Sequence, residues 1–169
     1  MKQISVLVIL MLSVVQAALS QQDIPAARNS ITMVFYNVEN LFDTLNDTTV
    51  IDEEFLPESP KQWDEVRYQK KLSDLAKVLS SVNKRELPSV IGLAEIENLK
   101  VLSDLANEQK LRRAKYRIVH YDSKDERGID VALLYDPAEM ELLDSKAIPV
   151  VFNSDDNDLT CDIMYIIVE

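Results

Sequence analysis

Ser30-Ile-Thr-Met-Val-Phe-Tyr36 and Ser89-Val-Ile-Gly-Leu-Ala94 are the two stretches that decide the fold. The first is β-branched and aromatic, the second almost wholly apolar, and both read as buried strands. Between them apolar residues recur at Trp63, Val66, Leu72, Leu75, Ala76, Leu79 and Val82. That spacing, with Lys and Asp on the opposite side, predicts an amphipathic helix. A strand, a helix and a second strand in this order form a right-handed crossover, so the two strands run parallel and end on the same edge of a sheet. Asn37 and Glu95 close those strands and therefore meet at that edge, where ligand sites of α/β sheets gather. A carboxylate beside a carboxamide offers the hard oxygen ligands that Mg²⁺ accepts. A turn-forming asparagine and a solvated glutamate are the plainer alternative.

Outward from this unit, Asp43 to Pro60 forms a long loop with six carboxylates (Asp43, Asp47, Asp52, Glu53, Glu54, Glu58) and two prolines. A loop of that size inside a compact domain is functional or mobile, or else a solvated insertion. A second helix is expected over roughly Leu99 to Arg113, closed by Lys110, Arg112 and Arg113, cations suited to a helix C-terminus. The period then changes to two. Tyr116 to Tyr121, Ile129 to Tyr135, Ala147 to Phe152 and Leu159 to Val168 read as further strands, with turns at Asp136-Pro137 and Asn153 to Asp158. No internal repeat or low-complexity segment interrupts them.

Composition removes several function classes. In 169 residues there are only two glycines, Gly92 and Gly128. Neither a dinucleotide-binding G-x-G-x-x-G turn nor a phosphate loop of the Walker type can be built from them. One cysteine, Cys161, and one histidine, His120, rule out an internal disulfide and a clustered zinc site. The net charge of −11 argues against a basic nucleic-acid-gripping surface. It leaves open a nuclease whose contact with phosphate runs through a cation. At the N-terminus Lys2 precedes the apolar run Ile4 to Val15 and the small-residue stretch up to Ser20, the layout of a secretory signal. Residues 1–20 are thus expected to be removed, leaving 21–169 as an exported, periplasmic or extracellular domain without stable membrane association. A membrane anchor is the competing reading, but the run is shorter than the roughly 20 residues usual for a span.

Three segments share a further property. Met33-Val-Phe-Tyr-Asn-Val-Glu-Asn-Leu-Phe42, Ile91-Gly-Leu-Ala-Glu-Ile-Glu-Asn98 and Asp125-Glu-Arg-Gly-Ile-Asp-Val-Ala-Leu-Leu-Tyr135 resemble, in order and spacing, signatures of the endonuclease/exonuclease/phosphatase superfamily. That superfamily includes deoxyribonuclease I and exonuclease III, and the closest likeness is to its secreted bacterial nuclease-like branch. The resemblance runs from about Thr32 to the last residue. It implies an α/β fold, the N-terminal half of a four-layer α/β/β/α sandwich, with one mixed sheet carrying two helices on its outer face. It also implies a hydrolase of phosphodiesters or phosphomonoesters that depends on Mg²⁺, with Mn²⁺ or Ca²⁺ as alternatives. Glu95 matches the family's metal-binding glutamate, Asn37 the asparagine that orients metal and phosphate, and Glu39 a second acidic position of some relatives. Arg127 matches an arginine near the scissile phosphate. The implied substrate is nucleic acid or another phosphoester.

His120, with Tyr121 and Asp122, matches none of the family's catalytic positions and reads as a strand residue near the sheet edge. Cys161 stands where the branch usually has an arginine. A His-containing strand, a Gly-Asp-x-Asn motif and a terminal Asp-His pair are absent from these residues, so the chain is expected to be the first half of a two-sheet domain that works with its second half. The alternative is a non-catalytic secreted fragment or binding module that needs a partner chain.

Overall fold

A computed structural model describes residues 30–152 and 159–169. The expected signal segment, 1–20, lies outside the described residues, as does the predicted turn at 153–158. One four-stranded mixed sheet organises the rest, built from β1 (Met33–Leu41), β2 (Val90–Ile96), β3 (Arg117–His120) and β4 (Asp130–Tyr135). The strand order is β1-β2-β4-β3, with β1 and β2 parallel and β4 antiparallel to both of its neighbours. This is the α/β arrangement expected, and the crossover between β1 and β2 contains the first helix.

That helix, α1 (Glu65–Ser81), starts where Asp64 accepts a hydrogen bond from the Arg67 amide, which satisfies an otherwise orphaned N–H. It buries Tyr68, Leu72, Leu75, Ala76 and Leu79, one helical stripe. A fully buried leucine here is worth roughly 2 kcal/mol by transfer of its apolar surface. The second helix, α2 (Leu99–Asn107), is capped by Asn98, whose side chain accepts from the Val101 amide. Asn98 of the second sequence motif is therefore a helix cap. Tyr68 ties the helices together by donating to Asp104 (2.7 Å). α2 is shorter than expected because the chain turns at Glu108 and passes through a 3-10 turn at Arg112–Ala114, which places Leu111 in the same core.

The other face of the sheet packs on a hairpin of β5 (Leu142–Ile148) and β6 (Ile163–Val168). Met164 and Ile166 of the hairpin meet Val90, Val119, Leu133 and Tyr135. The predicted strand Ala147 to Phe152 is displaced: Pro149 has no N–H to donate to a ladder, and pairing occupies the more polar stretch before it instead. Towards β1 this face stays open as an apolar trough of about 720 Å³, beside Met33, Phe35 and Tyr36. Phe35, 76% exposed, lies over Gly92, where a β-carbon would come within 2.5 Å of its ring.

Candidate functional site

β1 does not stop at Asn37 as expected, nor β2 at Glu95. Both continue, but through irregular backbone. The register pairs Asn37 with Ala94 and then Leu41 with Ile96, so three residues of β1 face one of β2. On the opposite side Ala94 pairs with Val131 and Ile96 with Asp130, which leaves Glu95 as an extra residue. Glu39, Glu95 and Asn40 have φ of 54°, 65° and 63°. Left-handed backbone at residues with a β-carbon costs on the order of 1–3 kcal/mol each, and such bulges re-aim side chains beside sites.

The bulges bring three of the four predicted residues together. Asn37 Nδ2 donates to Glu95 Oε1 at 2.9 Å, and the Glu39 amide donates to Asn37 Oδ1 at 2.7 Å. The asparagine side chain is thereby fixed at both ends, and Glu95 keeps Oε2 outside that bond. One oriented carboxylate, the exposed carboxylate of Glu39 and open access to water are a donor set that fits a hydrated hard cation.

Arg127 arrives from the turn between β3 and β4. Asp125, buried in that turn, holds it in a fork: Nε donates to Oδ1 (2.9 Å) and Nη2 to Oδ2 (2.7 Å). Burial works to raise the Asp125 carboxyl, but the hydrogen bonds from Arg127 prevail and hold it below its ordinary value. Arg127 is held above its own, chiefly by Asp125, and the charge of Glu95 adds to that. The Arg127 side chain stays 60% exposed, near enough to Glu95 for that carboxylate's charge to act on it. Cys161 donates to the Ile129 carbonyl and to Asp125, and burial pushes its thiol up to about 11.

The acidic loop is tied to this edge. Phe42 and Phe55 stack at 4.1 Å, Trp63 donates to the Phe42 carbonyl, and Ile51 N donates to Glu126 O. Val50 packs against Gly128, whose φ of 65° and lack of a β-carbon let the Arg-Gly-Ile-Asp turn close. The second glutamate of the Glu-Ile-Glu-Asn motif faces this loop: Glu97 Oε2 accepts from the Asp43 amide. Burial, with Asp43, Asp52 and Asp47 nearby, raises Glu97 to about 7.

His120 closes β3 with its side chain buried, Nε2 3.1 Å from Asp130 Oδ2 and Nδ1 3.8 Å from Asp122 Oδ1. Asp130 also accepts from the Ser123 amide, so the pair fastens the start of the Arg127 turn. Among the described residues these three form a cluster with ligating atoms within 4.8 Å of one another. Sequence reasoning missed Asp125 and Asp130; a carboxylate two residues before Arg127 was the available signal for the first.

Residues 32–169 match the model of the Endonuclease/Exonuclease/phosphatase family. The chain belongs to this family. No curated protein and no solved structure matches it. Membership supports phosphoesterase or nuclease chemistry in general, of the kind that runs with a divalent metal.

Proposed function

We propose that this chain carries the cation-binding and phosphate-binding part of an exported, metal-dependent phosphoesterase acting on nucleic acid or another phosphoester. The observation that carries the reading is the bulged edge that joins Asn37 to Glu95 at 2.9 Å. Glu95 holds the cation, Asn37 orients Glu95, and Glu39 lies on the same edge. Mg²⁺ bound there would polarise a phosphoryl oxygen and offset the charge built up as the ester bond breaks. Arg127, already fixed through Nε and Nη2, presents the rest of its guanidinium outward for a phosphate oxygen. None of the described residues is assigned the role of general base. The layout of residues 1–20 supports export, and no helix among the described residues is long and apolar enough to cross a membrane.

The test is hydrolysis of bis(4-nitrophenyl) phosphate and of plasmid DNA by the chain joined to the rest of its domain, with Mg²⁺ and with chelator. Turnover that chelator abolishes and Glu95→Gln lowers by about 10³ is expected, since about 4 kcal/mol of transition-state stabilisation is a usual loss for such a group. Turnover indifferent to both would overturn the reading. The open trough beside Phe35 favours a second reading, a module that binds a partner chain through this apolar face. Absence of turnover and of Mg²⁺ binding in the purified chain would favour it.

A further inference from the structure

Lys71 lies outside all three sequence motifs, on a helix face where a lysine ordinarily extends into water. Instead it is partly buried, 5.5 Å from the centre of the Trp63 ring, and Nζ donates to the carbonyls of Glu39 (2.5 Å) and Asn40 (2.9 Å). Those two carbonyls belong to the left-handed residues of the β1 bulge, where pairing with β2 is interrupted. Carbonyls removed from a ladder need other donors, and an ammonium supplies strong ones. The bulge is in turn bonded to the site, because the Glu39 amide donates to Asn37 Oδ1 and Asn37 Nδ2 to Glu95 Oε1.

Resting on the cation-site reading above, we propose that Lys71 is a positioning residue that clamps the β1 bulge onto α1 and, through Asn37, sets the Glu95 carboxylate for the cation. Charge alone would do the opposite. A second positive group near a cation site repels the ion, and the Lys71 ammonium is close enough to Glu39 and Glu95 for their charges to act on it. The two roles therefore predict opposite signs when the lysine is removed.

The experiment is calorimetric titration of the full chain with Mn²⁺, comparing wild type, Glu95→Gln, Lys71→Met and Lys71→Gln, with amide exchange of residues 38–41 followed in the same proteins. Lys71→Met is expected to weaken Mn²⁺ binding about tenfold and to speed exchange at the bulge about tenfold, while the amides of α1 hold their rates. Lys71→Gln, uncharged but still an N–H donor, is expected to recover part of both. Equal or tighter binding by Lys71→Met, or identical behaviour of the Gln and Met variants, would overturn the clamp and leave the cation site standing. Wild-type binding that Glu95→Gln does not change would overturn the site, and the clamp with it. If Lys71→Met does not fold, the Gln variant alone decides, because loss of charge without loss of the donor must then tighten binding if the lysine acts only through space.

Discussion

The body of the four-stranded sheet and its carboxyl edge are made from the same strands and obey different rules. From Val90 to Ala94, β2 pairs without interruption with β1 on one side and β4 on the other, and its neighbours are apolar. One residue later Glu95 is left-handed, both ladders skip, and the groups are polar and reached by solvent. Regular pairing with close packing supplies stability, whereas the edge carries strained backbone held by specific hydrogen bonds, donated by Lys71, by Asn37 and by Arg127 to Asp125. The difference teaches where each kind of mutation must act.

The largest effect is expected in the body. Leu134 of β4 is fully buried in the main core, and Leu134→Ala should destabilise the chain by about 3–4 kcal/mol in urea unfolding, the usual cost of a leucine-sized cavity. A loss below about 1 kcal/mol would show that this layer repacks freely and would erase the contrast. Next in size is Cys161 at the edge. Its thiol, pushed by burial up to about 11 from an ordinary 9, should react with iodoacetamide at pH 8 about 100-fold more slowly than an unfolded cysteine. The raised folded value also means that stability falls as pH climbs from about 9 to about 11, because the unfolded chain gives up that proton first. A reaction rate equal to that of the urea-unfolded chain would place the thiol in water. The smallest effect has the opposite sign. Glu95→Gly relieves a φ of 65°, so it should raise stability by about 1 kcal/mol while removing the response to Mg²⁺. Destabilisation by this change would mean that the Glu95 side chain contributes more to the fold than its backbone costs.

The sequence made the body legible and the edge only in part. Apolar periodicity located β1, α1 and β2, and the crossover rule placed Asn37 and Glu95 together because strand direction follows from element order alone. The bulges had no such signal. Left-handed backbone is foreseen from glycine and more weakly from asparagine such as Asn40, and at Glu39 and Glu95 tertiary contacts impose it on residues that do not prefer it. Lys71 looked like any solvated lysine of an amphipathic helix, since periodicity reports the face a residue lies on and not where a four-carbon stem ends. The hairpin was misplaced for a similar reason. Asp144, Ser145 and Lys146 carry a strand in a two-stranded ribbon that buries little, so their side chains leave no apolar alternation to read.

The site is also ordered along the chain. Asn37 and Glu95 are 58 residues apart, and both have been synthesised by the end of β2, whereas Arg127, Asp125 and the Gly128 turn that clasps the acidic loop follow only after α2 and β3. A chain leaving the ribosome N-terminus first therefore presents its carboxylates well before the guanidinium that partly balances them. Until then Lys71, which falls between Glu39 and Glu95 in the chain, is a cation whose charge already reaches both.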